Sequence, residues 1–365
     1  MLRVALRGLA TRKLRGALTA LAILVGVAMI AGTLILRDSV NNSFDDIFAE
    51  ANAGVDVSVR AKTETEGGFD LPEAGTALSA GLVPKIEAVD GVEQASGTIG
   101  DVISIAILDE NGDRIGPPQG GPPQIANSVQ PPPFSPFTYT SGEPPSADDE
   151  VAIDSITAEE ECYEVGQEIP VAGSEGLRRY TLSGIARFGS GVPLGGASLA
   201  VFTVSEAQAI TDKRGEFDEI SVEAASGVDP LELRDRLRSA LPSSAEVKTG
   251  EELAADDSAE IKDGFGFLTT ALLIFAGIAV FVGAFLIFNT FSITVAQRKR
   301  ELGMLRTLGA SSRQVLASVI VEALVIGVLA SGVGLLAGLG FVKLILALFE
   351  LGGFELPQSG TPISG

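Results

Sequence analysis

The sequence predicts a membrane protein, with three transmembrane α-helices plus a large α/β (α+β) extracytoplasmic domain inserted between helices 1 and 2. Three observations carry that prediction. The chain is acidic yet apolar on average, with a net charge of −21 and a mean hydropathy of +0.34. Its apolar residues gather in three segments, each reaching the roughly 20 residues that a bilayer requires. Its acid lies elsewhere: residues 38–263 hold 43 Asp and Glu against 14 Lys and Arg, a net of −29, and the rest of the chain carries +8. Three core helices of this length in a soluble enzyme would each exceed the ordinary helix several times over.

Residues 1–15 form a basic N-terminal segment with Arg3, Arg7, Arg12, Lys13 and Arg15 and no acid. Helix 1 follows over 16–36, 21 residues without a charge. A cleaved signal peptide is the competing reading. The stretch is longer than an h-region of about 7–15 residues and ends in Leu34-Ile35-Leu36-Arg37-Asp38 without a small-x-small site, which favours an uncleaved anchor. Helix 2 spans 264–297, 34 residues without a charge. The 298–314 segment carries Arg298, Lys299, Arg300, Arg306 and Arg313 against Glu301. Helix 3 spans 315–349, interrupted by Glu322 and Lys343, and 350–365 forms an outer tail. Basic flanks stay on the cytoplasmic side. The N-terminus and the 298–314 segment are therefore placed inside, in a multi-pass protein of the cell membrane.

The domain over 37–263 reads as folded. Val55 to Val59 alternates with period two, as a strand does. Leu82, Ile86 and Val89 have helical spacing, Gly91 ends that helix, and Val92 through Leu108 returns as extended chain. Asp109-Glu110-Asn111-Gly112-Asp113 forms a hairpin tip; Arg114 stands where a calcium loop needs glycine. Residues 116–145 hold ten of the eighteen prolines and read as an extended surface loop. Strand signals resume at 151–153, 168–171, 180–185, 198–204 and 219–223. A helix is expected from Pro230 to Ala240 with Asp229 as its N-cap. Glu159-Glu160-Glu161 reads as a solvated helix face.

Composition excludes several chemistries. With no His and a single Cys162, a Ser–His–Asp triad, a His-ligated zinc, a Cys cluster and an intrachain disulfide are all absent. The acidity argues against nucleic acid as a partner. No G-x-x-x-x-G-K-[ST] occurs, so the chain has no Walker A loop of its own. Small residues four apart, Ala28 with Gly32, Ala279 with Gly283, Ala330 with Gly334 and Gly334 with Gly338, permit close helix packing in lipid. Glu322 is the one acid inside an apolar run, and pairing near the cytoplasmic interface suits it better than a proton relay.

The inner segment is the most informative. Leu302, Leu305 and Leu308 give a short helix one apolar face, and Gly309 is placed to end it. Ser311 and Gln314 have capping-box spacing for the next helix. The run from Glu301 through Leu302, Gly303, Leu305, Arg306, Leu308, Gly309, Ala310, Ser311 and Gln314 to Val315, with the basic cluster at Arg298 and Arg300 before it and Arg313 within it, resembles the hallmark of the MacB/FtsX-type ABC transporter permease family. Similarities elsewhere cover nearly the whole chain: the basic start from Arg3 to Gly26, Glu322 to Leu324 with Gly327, and Gly142 to Pro144, Glu150 to Asp154, Val165-Gly166, Leu182 to Ile185 and Asp229-Pro230, which are similar to a MacB-like periplasmic core domain.

The resemblance implies a permease subunit whose inner segment docks on a separate cytoplasmic ABC ATPase. That ATPase would hold ATP and Mg, with no cofactor on this chain. A second permease copy or homologous half and the lipid bilayer complete the partners. The work implied is mechanotransmission: export or extraction of lipid, lipoprotein, peptide or drug. A membrane-anchored sensor and an FtsX-like regulator of cell-wall hydrolases are the alternatives. Family members carry a fourth helix, missing here after 350–365, so the chain is expected to be a fragment of a longer frame. Its Ala/Gly-rich, Lys-poor composition fits an actinobacterial source.

Overall fold

The computed structural model describes residues 13–62, 77–102, 104–109, 112–116, 123–189, 196–297 and 311–351. Three long helices dominate: α1 (Lys13–Ala51), α6 (Gly250–Gln297) and α7 (Ser312–Leu351). Each contains a stretch long and apolar enough to cross a membrane, within Thr19–Ala51, Gly266–Thr290 and Ala323–Phe349. The chain divides into two compact units, one of residues 1–39 and 265–347, the other of residues 40–264 with 348–365.

Helices α1 and α6 extend beyond their sequence-predicted limits. The uncharged run of helix 1 ends at Leu36, and α1 continues past it to Ala51. Val40, Phe44 and Ile47 explain the extension, because their spacing puts one apolar stripe on that stretch and all three are buried. Likewise α6 starts at Gly250, not Gly264, and buries Leu253 and Ser258 in its added turns.

Between α1 and α6 lies the α/β domain, built on two sheets. The smaller contains β1 (Val57–Ala61), β3 (Val92–Thr98), β13 (Glu219–Ala224) and β14 (Ala245–Thr249) in the order β14-β1-β13-β3. Every neighbouring pair is antiparallel. Helix α2 (Val83–Glu87) joins β1 to β3 and α5 (Pro230–Ala240) joins β13 to β14. In chain order the four strands lie 4-1-3-2, the ferredoxin-like βαββαβ arrangement. Its core is apolar throughout, with Val57, Val59, Ile86, Ile220, Val222, Leu233 and Leu237 buried together. Asp229 caps α5 as the sequence predicts, accepting from the amides of Leu231 at 2.8 Å and Glu232 at 3.4 Å.

The second sheet is inserted between strands two and three of the first. It contains β4 (Gly100–Asp101), β5 (Ala106–Ile107), β6 (Gln124–Ser128), β7 (Phe137–Gly142), β8 (Glu150–Asp154), β9 (Glu168–Gly173), β10 (Gly176–Phe188) and β11 (Ser198–Phe202). Their order is β4-β6-β11-β8-β10-β9-β5, with β7 also paired to β10. Helices α3 (Ser155–Glu160) and α4 (Val204–Ile210) pack on this sheet. A two-stranded ribbon of β2 (Leu78–Ser79) and β12 (Glu216–Phe217) completes the domain.

The proline-rich stretch over 116–145 is not the surface loop expected of it. Within it, β6 and β7 join the large sheet, and Phe134 and Phe137 are buried. The prolines among the described residues fall between the strands, where no ladder hydrogen bond needs a proline N–H, while Ile125, Phe137 and Tyr139 on the strands supply core contacts. Leu108 and Arg114, which flank the expected 109–113 tip, form an antiparallel bridge, and residues 110 and 111 lie outside the described residues.

Removing the α5 cap should register in stability. Asp229→Ala is expected to cost about 1 kcal/mol, read from the urea midpoint of far-UV circular dichroism, whereas Asp229→Asn should cost far less.

Candidate functional site

The long helices start at residues that satisfy their first amides. At α7, Gln314 Oε1 accepts from the Ser311 amide at 2.9 Å and Ser311 Oγ accepts from the Gln314 amide at 3.3 Å. At α6 the same box is built from Thr249 and Glu252, with Glu252 Oε2 accepting at 3.0 Å and Thr249 Oγ1 at 3.2 Å. The second box is legible in the sequence too, as Thr249-x-x-Glu252.

The start of α6 is held to the small sheet by close backbone approach and by charge. A side chain at Gly250 would bring its Cβ within 1.9 Å of the Val55 carbonyl oxygen, so glycine is required for the approach. Arg60 on β1 donates to both carboxylate oxygens of Asp257 on α6, at 2.7 and 3.0 Å, and to Glu219 on β13 at 2.9 Å. Burial pushes the Asp257 carboxyl above its usual range, and Arg60 offsets only part of that. Burial also opposes the Arg60 charge, but Glu219 and Asp257 outweigh it and hold the guanidinium protonated. Lys248 adds a bridge to Asp256 at 2.9 Å, and Arg234 on α5 one to Glu252 at 2.5 Å. The last turns of α1 are tied to α6 in the same region: Asp45 accepts from Ser258 at 2.7 Å and Lys262 at 2.5 Å.

Glycines set the contacts inside the other unit. A Cβ at Gly338 on α7 would lie 3.2 Å from the Ala28 oxygen, Ala31 Cβ and the Gly32 nitrogen of α1. One at Gly32 would lie 2.9 Å from the Gly338 oxygen, and one at Gly334 would lie 3.0 Å from the Leu24 oxygen. Ala28 and Ala330 are buried. Gly283 of α6 faces Ala22 at 3.6 Å, and Ala279 is half-buried on the same helix. Glu322 lies on α7, and its side chain is outside the described residues.

The inner segment divides at Ser311. Arg298, Arg300, Glu301, Leu302, Gly303, Leu305, Arg306, Leu308, Gly309 and Ala310 lie outside the described residues. Ser311, Arg313 and Gln314 are described, and all three are exposed. Among the described residues, no group of three or more His, Cys, Asp or Glu side chains is placed to hold a metal ion.

Three membrane-length helices, with an α/β domain between the first and second, are the arrangement of a polytopic membrane protein. Residues 17–240 match the MacB-like periplasmic core domain and residues 273–364 the FtsX-like permease C-terminal region. The chain belongs to the MacB/FtsX-type ABC transporter permease family. An uncharacterized ABC transporter permease of Methanocaldococcus jannaschii is 28% identical over 159 residues, 42% of this chain and 39% of that protein. The macrolide export ATP-binding/permease protein MacB of Bdellovibrio bacteriovorus is 24% identical over 350 residues, 92% of this chain and 53% of that protein. The chain thus spans about half, or less, of the length of these curated relatives. The crystal structure of the periplasmic region of MacB from Actinobacillus actinomycetemcomitans is 10% identical with a TM-score of 0.38, over 56% of this chain and 94% of that one.

The Arg60 bridge can be separated from simple packing. Arg60→Met should lower stability by about 2 kcal/mol by leaving Asp257 buried without its partner, and adding Asp257→Leu should recover most of that loss, measured by thermal unfolding of the two variants.

Proposed function

We propose that this chain is the permease subunit of an ABC transporter, coupling ATP hydrolysis by a separate cytoplasmic ATPase to movement of its α/β domain. The carrying observation is the inner segment from Glu301 to Val315, a family hallmark set between two long helices. On this reading the N-terminus and the 298–314 segment are cytoplasmic and the α/β domain lies outside, because the basic residues flank the helices on one side. By their spacing in the sequence, Leu302, Leu305 and Leu308 would supply the apolar contact with the ATPase. Arg298, Arg300, Arg306 and Arg313 form the basic rim of that contact. ATP and Mg bind the ATPase, and no cofactor is held by this chain.

Mechanical coupling needs stiff elements anchored at both ends. The box at Ser311 and Gln314 starts α7 next to the docking segment, and the box at Thr249 and Glu252 starts α6 on the sheet. A second permease copy or a homologous half completes the transporter. Its cargo is a lipid, lipoprotein, peptide or drug; the name of the Bdellovibrio relative, a macrolide exporter, favours the last of these.

The test is co-purification of the tagged permease with a cytoplasmic ABC ATPase from its host membranes. Leu305→Asp with Leu308→Asp should abolish retention of the ATPase, because two charges would enter an apolar contact, while the permease still reaches the membrane. Undiminished retention and transport would sink the docking assignment.

A further inference from the structure

Two strand crossings connect the sheets of the α/β domain. The chain leaves the small sheet after Thr98 and returns through Phe217 to Glu219. The crossings are paired to each other, with Asp218 donating its amide to the Thr98 oxygen at 3.0 Å. Phe217 packs against the cores of both sheets. The crossing strands are the covalent link between the halves, which also meet where Gln94 Nε2 donates to the Pro132 oxygen at 2.9 Å, so bending would centre on the crossing unless something braces it there.

Lys213 lies at this crossing. Its ammonium bonds Asp101 Oδ2 on β4 at 2.8 Å and Asp218 Oδ1 at 2.7 Å. Neither carboxylate is a loose surface group. Asp218 Oδ2 accepts from the Gly100 amide at 3.0 Å, and Asp101 Oδ1 accepts from the Ser104 amide at 2.7 Å. The lysine is also fixed at its root. Helix α4 ends in a Schellman motif, with Asp212 in the left-handed region at φ 58°. The Asp212 amide donates to the Ala209 oxygen at 3.3 Å and the Lys213 amide to the Gln208 oxygen at 2.8 Å. Burial pulls the ammonium down, but the bonds to the two carboxylates more than offset it and keep the charge. One cation therefore ties the outgoing strand, the returning strand and α4 together.

We propose that Lys213 is a latch that fixes the angle between the two halves of the α/β domain, so that with the bridge closed they move as one body, and with it open they hinge at 98–100 and 217–219. This goes beyond the transport assignment and is tested without the ATPase.

The full chain is placed in lipid nanodiscs with Cys162→Ser and spin labels at Glu87→Cys on α2 and Glu161→Cys just past α3. Both positions are exposed, one on each half. The parent should give one narrow distance distribution. Lys213→Met should broaden it and raise amide exchange at Asp218 by about tenfold, the effect of losing a charge-assisted bond. Lys213→Arg should restore the narrow distribution. A lower unfolding temperature with an unchanged distribution would overturn the latch, leaving only ordinary stabilisation. If Lys213→Met does not fold, Asp218→Asn opens one arm and decides the matter by the same readout.

Discussion

The pairing of β1 with β14 is the constraint on which the remainder of the architecture depends. β1 follows α1 after a five-residue turn, and β14 runs directly into α6. Their antiparallel register sets Val57 opposite Thr249. Two strand ends that carry helices are thereby made neighbours, and the end of α1 and the start of α6 must lie together. The bonds of Asp45 to Ser258 and Lys262 follow from that placement. A one-residue slip would turn Val57, Val59 and Val247 out of the core, so the register is locked by burial on one face and by Arg60 on the other.

The same sheet explains how a large insertion is accommodated. In a 4-1-3-2 order the second strand is at an edge and the third is beside it. The connection between them can be lengthened without disturbing the pair that carries the helices. The inserted sheet then builds its own core around Ile107, Ile153, Ile169, Tyr180 and Phe202. Tyr180 buries its ring there and donates its hydroxyl to the buried Glu206 at 2.5 Å, with Arg178 supplying the opposing charge. Burial pushes that phenol well above its usual range, and the bond to Glu206 adds to the rise.

What was legible in the sequence was local. Asp229-Pro230 marks a helix start because a side-chain acceptor and a fixed φ act within three residues. Ser311 and Gln314 are readable for the same reason. Uncharged runs reveal membrane helices because lipid excludes charge over about 20 residues. Absence of charge is a poor guide to where such a helix ends, however, since Val40, Phe44 and Ile47 carry α1 onward into a protein interior that tolerates Asp38 and Asp46 on the other face. Proline content likewise misdirected the reading of 116–145, because a strand is decided by partners such as β10 and β11, distant in the chain. Lys213 was illegible altogether. Its partners lie 112 residues before it and five after, and only the strand crossing unites them.

The helices obey a different balance from the α/β domain. Phe267 and Phe281 on α6 are 82% and 75% exposed, a surface that water would penalise and lipid does not. In lipid, burying apolar side chains gives helices little reason to associate. Close backbone approach must supply the attraction instead, which is what glycine allows at Gly32, Gly334 and Gly338. A larger residue at any of these would gain no hydrophobic stabilisation to offset the lost contact. The α/β domain can tolerate repacking by similar volumes; the α1–α7 contact cannot, because its attraction exists only at the distance that a missing side chain permits.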